Sequence, residues 1–446
     1  MLENTKNIYF LGIGGIGMSA LARYFNMLDY NVSGYDKTKT ELTKTLEEEG
    51  ISIHYNDLGS KAIKGIDLVV FTPAIPNELE EYIAFRNSNI RMVKRAEVLG
   101  EIAKDYFTIA IAGTHGKTTI TSMVAHFLNE SGMAVNAFIG GIATNYNSNL
   151  ILNKNAKIMV VEADEFDRSF LHIHPDIAII SSMDADHLDI YENTDSLKHS
   201  FFEFANNIKD GGTLLLCEDV DAPENFKQNI EYYGEGQNNF YQLIPKGIID
   251  GKQEFSTSFY RKDFRISMPG RHNLLNASAA VSVAKILNIE EEKLRKSILS
   301  YLGVKRRFEL IIDCNNHILI DDYAHHPTEI KAAIAAAREM YNGKELMGIF
   351  QPHLFSRTRD FINDFANELS KLDKVVLLDI YPARELPIEG VSSQLLLDKI
   401  TIKNKKLISK ENIEKYISEN SSEITLMMGA GDINKLVSKI SETLCK

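Results

Sequence analysis

At 446 residues, with 44% hydrophobic and 25% charged side chains, the chain has ordinary globular composition and room for about three domains, so it needs no disulfide or metal staple. A formal net charge of −12 excludes the basic stripe of a nucleic-acid-binding surface, and no apolar run reaches the length of a membrane span. Cys217, Cys314 and Cys445 are far apart and form no CxxC pair, which argues against a zinc site, a redox pair or a disulfide framework; without a signal-peptide pattern, a reducing cytoplasm is the simplest compartment.

Short apolar runs alternate with amphipathic helical stretches from end to end, the pattern of parallel sheets with helical crossovers and an α/β fold. A first series places strands at 8–11, 32–35 and 68–72. Between the first strand and a helix at 18–28 lies Gly12-Ile13-Gly14-Gly15-Ile16-Gly17. Glycine is needed there if the backbone turns tightly and a phosphate approaches its amides. Asp36 follows the second strand, the usual place for an acid that binds a ribose hydroxyl. The motif allows a nicotinamide dinucleotide, another nucleotide's diphosphate, or a close-packed turn with no ligand. The motifs downstream favour the diphosphate.

A second series, opening after Asp105–Tyr106, places strands at 108–112, 158–161, 177–181 and 213–216. Its first strand runs into Gly113-Thr114-His115-Gly116-Lys117-Thr118-Thr119, and the following helix has apolar residues at Ile120, Met123, Val124, Phe127 and Leu128 before Gly132 ends it. A phosphate at such a helix N-terminus gains backbone donors and the positive end of the dipole. Lys117 adds a point charge, and Thr118 offers a hydroxyl to Mg²⁺. The spacing departs from the common Walker pattern, because Ile111 stands where its first glycine would be. Two further strands end in Glu162-Ala163-Asp164-Glu165 and in Asp184-Ala185-Asp186-His187. Ligands gather beyond the carboxyl ends of strands in open α/β sheets, so Glu162 and His187 are expected near Lys117 as divalent-metal ligands. Strand or helix capping by these acids is the alternative.

Residues 230–265 are polar and aromatic and read as an irregular or antiparallel excursion. Gly270-Arg271-His272-Asn273-Leu274-Leu275-Asn276 opens an Ala-rich helix; its asparagines suit an adenine edge, or Asn273 is an N-cap. Lys305-Arg306-Arg307 sits at the second boundary, as a solvated run or as a cation supplied to phosphates when domains close. A third series places strands at 317–320, 346–350, 375–379 and 424–428. After them come Asp321-Asp322-Tyr323-Ala324-His325-His326-Pro327, then Gln351-Pro352-His353 with Arg357 and Arg359, and finally Gly429-Ala430-Gly431-Asp432. His325, His353 and Arg357 are candidates to converge on a small anionic ligand. The expected domains are 1–105, 106–304 and 305–446.

In this order, GTHGKTT, EADE, DADH, GRHNLLN, KRRFE, DDYAHHP, QPH and GAGD resemble the motif series of the Mur ligases, the ATP-dependent amino-acid-adding enzymes of peptidoglycan synthesis. GIGGIGMSALA and DDYAHHP are most similar to the alanine-adding branch. The resemblance covers essentially the whole chain. It implies a Rossmann-like domain for a UDP-sugar, a central P-loop ATPase with a parallel sheet, and a C-terminal Rossmann-like domain for an amino acid. The substrates it implies are ATP, UDP-N-acetylmuramate and L-alanine, with Mg²⁺, in a monomer or homodimer. It assigns the UDP-sugar to Gly14, Gly15, Ile16, Gly17, Met18, Asp36 and Thr72. ATP falls to residues 113–119, Asn273, Asn276, Arg306 and Asp322, and the metal to Thr118, Glu162 and His187. Tyr323, His325 and Arg357 fall near the amino acid.

The chain departs from that pattern at Leu354, where several relatives carry Arg, and at Ser182, where Asn is frequent. Lys198 stands at the wrong spacing from His187 for the carbamylated lysine of other members. The implied reaction phosphorylates the lactyl carboxylate, and the amine then displaces phosphate; His187 and His325 are the candidate bases. An NAD-dependent oxidoreductase, a non-catalytic UDP-sugar sensor and a recycling ligase that adds a whole peptide are the competing readings.

Overall fold

The computed structural model of this protein describes residues 5–184, 191, 193–314, 316–383 and 385–445. The backbone divides into two compact units, one of Met1–Ile244, Ser256–Lys262 and Leu275–Tyr301, the other of Pro245–Phe255, Asp263–Leu274 and Leu302–Lys446. The first sheet and most of the second belong to the first unit and the third to the second unit, all three largely parallel, which gives the expected α/β class.

The N-terminal sheet is built from β1 (Asn7–Leu11), β2 (Asn31–Tyr35), β3 (Ser52–His54), β4 (Leu68–Phe71) and β5 (Arg91–Lys94), with α1 (Ile16–Met27), α2 (Glu41–Glu48), α3 (Glu80–Arg86) and α4 (Arg95–Ala103) between or after them. The order is β3-β2-β1-β4-β5, and every neighbouring pair is parallel. Strand succession therefore reverses between β1 and β4, where an open α/β sheet presents its ligand crevice. Sequence reading finds β1, β2 and β4 but not β3 and β5. Those two are short, polar-flanked edge strands with little apolar signal.

The second sheet contains β6 (Phe107–Ala112), β7 (Val135–Ala143), β8 (Ser148–Ile151), β9 (Ile158–Glu162), β10 (Ile177–Ile180), β11 (Thr213–Cys217) and β12 (Asn229–Gly234), with α5 (Lys117–Glu130) after β6 and α6 (Thr194–Asn206) before β11. These strands lie in the order β12-β11-β10-β6-β9-β7-β8, with only β8 antiparallel to its neighbour. Ile109, Ile111, Val160, Val161, Ile179 and Leu215 are almost wholly buried, as strands covered on both faces require. Each such side chain contributes about 1.5–3 kcal/mol by leaving water. The two sheets of this unit meet along α1: Asn149 Nδ2 donates to the Ile16 carbonyl at 2.6 Å and Arg23 Nη1 to Ser148 Oγ at 2.6 Å.

The expectation of an irregular or antiparallel stretch at 230–265 needs correction. It begins with β12 parallel to β11, and β13 (Tyr241–Ile249) continues in parallel through Tyr233 and Tyr241. Only then do β14 (Lys252–Thr257) and β15 (Phe264–Ile266) pair antiparallel, with Phe255 opposite Phe264. The polar residues of β12 are half-exposed, which hides its periodicity.

Helices α7 (Arg271–Ile286) and α8 (Glu291–Ser300) precede the third sheet. It comprises β16 (Glu309–Cys314), β17 (His317–Asp322), β18 (Leu346–Phe350), β19 (Lys374–Leu377), β20 (Lys405–Leu407) and β21 (Ile424–Met428), with α9 (Pro327–Met340) after β17. The order is β16-β17-β21-β18-β19-β20, antiparallel only between β16 and β17. Ile320, Phe350 and Leu426 pack on one face and Leu319, Met347 and Met427 on the other. Here the expectation of unpaired cysteines is overturned. Cys314 closes β16, Cys445 follows the last helix, and the two form a disulfide with Cα atoms 5.9 Å apart. A sequence separation of 131 residues conceals the pair, because only packing of helix Val437–Leu444 beside β16 brings them together. Cys217 is buried and free. Among the described residues no helix is long and apolar enough to cross a membrane.

Candidate active site

At the crevice between β1 and β4, the N-terminal glycine loop is already braced. Gly14 N donates to Asp36 Oδ2 at 2.8 Å, while Asp36 Oδ1 accepts from Thr38 N. Asp36 thus buttresses the loop. Gly15 caps α1, Met18 is buried in its first turn, and the Ile16 carbonyl receives Asn149. Thr72 Oγ1 accepts from Ala74 N after β4, with its methyl facing Gly12.

In the second sheet the ends of β6, β9 and β10 converge. The Gly113–Thr119 loop is strapped to the segment after β10. Thr114 N donates to Ser182 O at 3.1 Å, Thr114 Oγ1 to Asp184 O at 2.8 Å, and His115 N to Ser182 Oγ at 2.9 Å. Ser182, the departure from the family pattern, therefore serves as an acceptor for this loop. Gly113 has φ +128°, and a Cβ there would lie 2.2 Å from Ser181 Oγ and 2.9 Å from two backbone nitrogens, so both the conformation and the packing require glycine. Gly116 caps α5, a Cβ on it would lie 2.6 Å from Asn276 Oδ1, and Thr118 and Thr119 are buried in the first turn.

Lys117 Nζ is caged by Gly113 O at 2.8 Å, Thr114 O at 3.4 Å and Glu165 at 2.9 Å. Burial opposes the lysine's charge, but the carboxylates of Glu165, Asp164 and Glu162 outweigh it and hold its pKa above the usual value. Thr118 Oγ1 donates to Glu162 Oε1 at 3.1 Å, and Glu162 Oε2 accepts from Gly140 N at 2.9 Å. Gly140 leaves the room: a Cβ would sit 2.3 Å from that carboxylate. A hydroxyl beside a carboxylate at a phosphate loop is a hard-oxygen pair of the kind Mg²⁺ shares with substrate phosphates. Its third expected ligand, His187, lies outside the described residues.

The second unit gathers another polar set at the ends of β17, β18 and β21. Asp322 lies in it with both oxygens engaged, accepting from Phe308 N and Ala324 N at 2.7 Å each. The segment thus held has positive φ at Arg306 (63°) and Phe308 (50°). Arg306 donates to the Gly429 and Gly431 carbonyls, and Arg306 and Arg307 each lie 5.0 Å from the Tyr323 ring centre. His325 Nδ1 faces the Tyr323 carbonyl at 2.9 Å and Glu329 Oε2 at 3.2 Å, both acceptors, an arrangement that suits a hydrogen on Nδ1. The His325 and His353 rings are 5.9 Å apart, and His353 stacks on Tyr381. Arg357 is buried in helix Phe355–Asp360, whose start receives the Glu385 carboxylate at Ser356. Asn273 is no N-cap; it lies inside α7 and donates to Pro269 O at 2.7 Å.

Sequence reading missed Glu165 as the partner of Lys117 and Tyr381 as the platform for His353. Glu165 stands in a quoted motif, but its pairing depends on β9 lying beside β6. Burial raises Asp321 to about 6 and Asp322 to about 7, against the opposing pull of Arg306 and Arg307 respectively. Both lie above the ordinary carboxylate value near 4, so the folded chain keeps protons that the unfolded chain releases. That stabilisation is complete below about pH 4 and is lost as pH rises through about 6 and 7. The stability of Asp321→Asn relative to the parent is therefore expected to improve by about 2 kcal/mol between about pH 5 and pH 8 in urea unfolding. A pH-independent difference would contradict the burial of that charge.

Comparison with known proteins matches three family profiles in succession: "Mur ligase family, catalytic domain" over residues 7–107, "Mur ligase middle domain" over 111–284, and "Mur ligase, glutamate ligase domain" over 306–433. The UDP-N-acetylmuramate–L-alanine ligase of Flavobacterium johnsoniae is 48% identical over 450 residues, covering 99% of each chain. That of Porphyromonas gingivalis strain W83 is 46% identical, covering 99% of this chain and all of its own. The crystal structure of the UDP-N-acetylmuramate–alanine ligase MurC from Thermotoga maritima superposes with a TM-score of 0.85 at 27% identity, covering 98% of this chain and 99% of that one.

Proposed function

This chain belongs to the Mur ligase family, and on that premise we propose that it is the ATP-dependent ligase that joins L-alanine to the lactyl carboxylate of UDP-N-acetylmuramate in peptidoglycan precursor synthesis. The observation that carries the chemistry is the convergence of Lys117, Thr118 and Glu162 at the ends of β6 and β9. The substrate pair rests on near-full-length relatives that bear that name.

A carboxylate oxygen of the sugar nucleotide attacks the γ-phosphorus of ATP, the bond to the β-phosphate oxygen breaks, and ADP leaves an acyl phosphate. The amine of L-alanine then attacks the carbonyl carbon, inorganic phosphate departs, and the amine gives up a proton. Mg²⁺, when bound by Thr118 and Glu162, neutralises charge on the transferring phosphate. The backbone amides of 113–119 bind the nucleotide phosphates, and Lys117 offsets charge that grows in the transition state. Asn276, beside Gly116, is suited to the adenine side, with Asn273, Arg306 and Asp322 as further nucleotide-side residues. The loop and crevice residues 14–18, Asp36 and Thr72 take the UDP-sugar. Tyr323, His325 and Arg357 take the amino acid: Arg357 holds its carboxylate, and His325 Nε2 is the proton acceptor, with His187 the other candidate base. The proposed domains are 1–105, 106–304 and 305–446.

Phosphate release should require ATP, Mg²⁺, UDP-N-acetylmuramate and L-alanine together; release that ignores omission of alanine would sink the assignment. Replacing L-alanine by the tripeptide tests the recycling alternative directly. Arg357→Ala is expected to raise KM for L-alanine roughly ten- to a hundred-fold, the scale of one charge-assisted contact, and to leave ATP affinity unchanged.

A further inference from the structure

Arg95 opens α4 and points at the N-terminal glycine loop. A Cβ on Gly17 would lie 2.9 Å from its Nη1 and 3.1 Å from its Cδ, so the third glycine of the motif makes room for this arginine. The nearest acid is Asp164, with Nη2 and Oδ2 at 3.8 Å, beyond hydrogen-bond reach, although the side chain is only 22% exposed. Among the described residues the guanidinium has no hydrogen-bonded acceptor, whereas its neighbour Lys94 is satisfied by Asp167 at 2.9 Å. A guanidinium carries five donors, and enclosing them without acceptors is costly. The fork is thus provisioned for an anion that arrives with the substrate.

The position identifies that anion. Arg95 lies over the first turn of α1, where backbone N–H groups and the helix dipole favour negative charge. Asp36 already takes the Gly14 amide from the opposite side. The arm is held in place: Lys94 pairs with Asp167, and Gly100 packs so close to His172 that a Cβ would lie 2.3 Å from its carbonyl oxygen. We propose that Arg95 is a binding residue for the diphosphate of the sugar nucleotide, gripping it by two parallel N–H bonds against the Gly14–Gly17 loop. Asp164, on the same strand end as Glu162, keeps the guanidinium turned toward that loop. This rests on the reading of the N-terminal crevice as a UDP-sugar site.

Calorimetry with UDP, which has the diphosphate but neither the sugar nor its carboxylate, provides the test. Arg95→Ala is expected to weaken UDP binding, and to raise KM for UDP-N-acetylmuramate, roughly ten- to a hundred-fold, with ATP affinity unchanged. Arg95→Lys, which keeps the charge without the fork, is expected to recover only part of the loss and guards against misfolding of the alanine variant. Unaltered UDP affinity in Arg95→Ala overturns the proposal, as does a fall confined to kcat. Failure of the parent protein to bind UDP or UDP-N-acetylmuramate would instead overturn the reading of the crevice.

Discussion

Lys117→Ala is expected to lower kcat by at least about 10²–10³-fold, the scale for removing one preorganised electrostatic donor. Gly113 O, Thr114 O and Glu165 hold the lysine's ammonium at this loop, and in the proposed reaction it offsets the charge that develops on the γ-phosphate. Lys117→Arg should not restore activity, because a planar guanidinium cannot occupy a cage shaped for a compact ammonium. The measurement is steady-state phosphate release at saturating substrates. A variant with near-normal kcat would mean that phosphoryl transfer does not use this loop.

Glu165→Ala should destabilise the first unit by about 3 kcal/mol, the lower part of the range for breaking a buried ion pair. Glu165 is 1% exposed and Lys117 14%, so removal of the carboxylate leaves an ammonium with little water to replace it. The loss stays at the low end because two backbone carbonyls and the nearby Asp164 and Glu162 remain. In the proposed function the phosphates of ATP supply a new counter-charge to Lys117. Thermal unfolding should therefore show a larger nucleotide-induced stabilisation in the variant than in the parent. Equal stability of the two proteins without nucleotide would show that the pair contributes nothing to the fold.

Much of this protein is legible in one dimension because its informative segments are local. Strands β6, β10 and β21, buried on both faces, are short apolar runs between turn residues. The turn at 113–119 needs glycine at fixed offsets from a strand and a helix, so Gly113 and Gly116 announce it along the chain. The edge strands β3, β5, β16 and β20 were not read, since a strand exposed along one side need not be apolar. Leu354, the departure from the expected motif, has φ +70° and donates its N–H to Tyr381 O; the residue is visible in sequence, but its backbone setting is not.

The amino-acid sequence by itself determined the fold class, the order of the chemical motifs and the family, because each depends on residues close together along the chain. Tertiary structure alone decided which groups face one another: Glu165 against Lys117, Glu162 over Gly140, Arg95 over Gly17, and Cys314 bonded to Cys445. Those pairings join strand ends and loops 22 to 131 residues apart. Their partners are set by sheet order and crossover packing, which no spacing along the chain encodes.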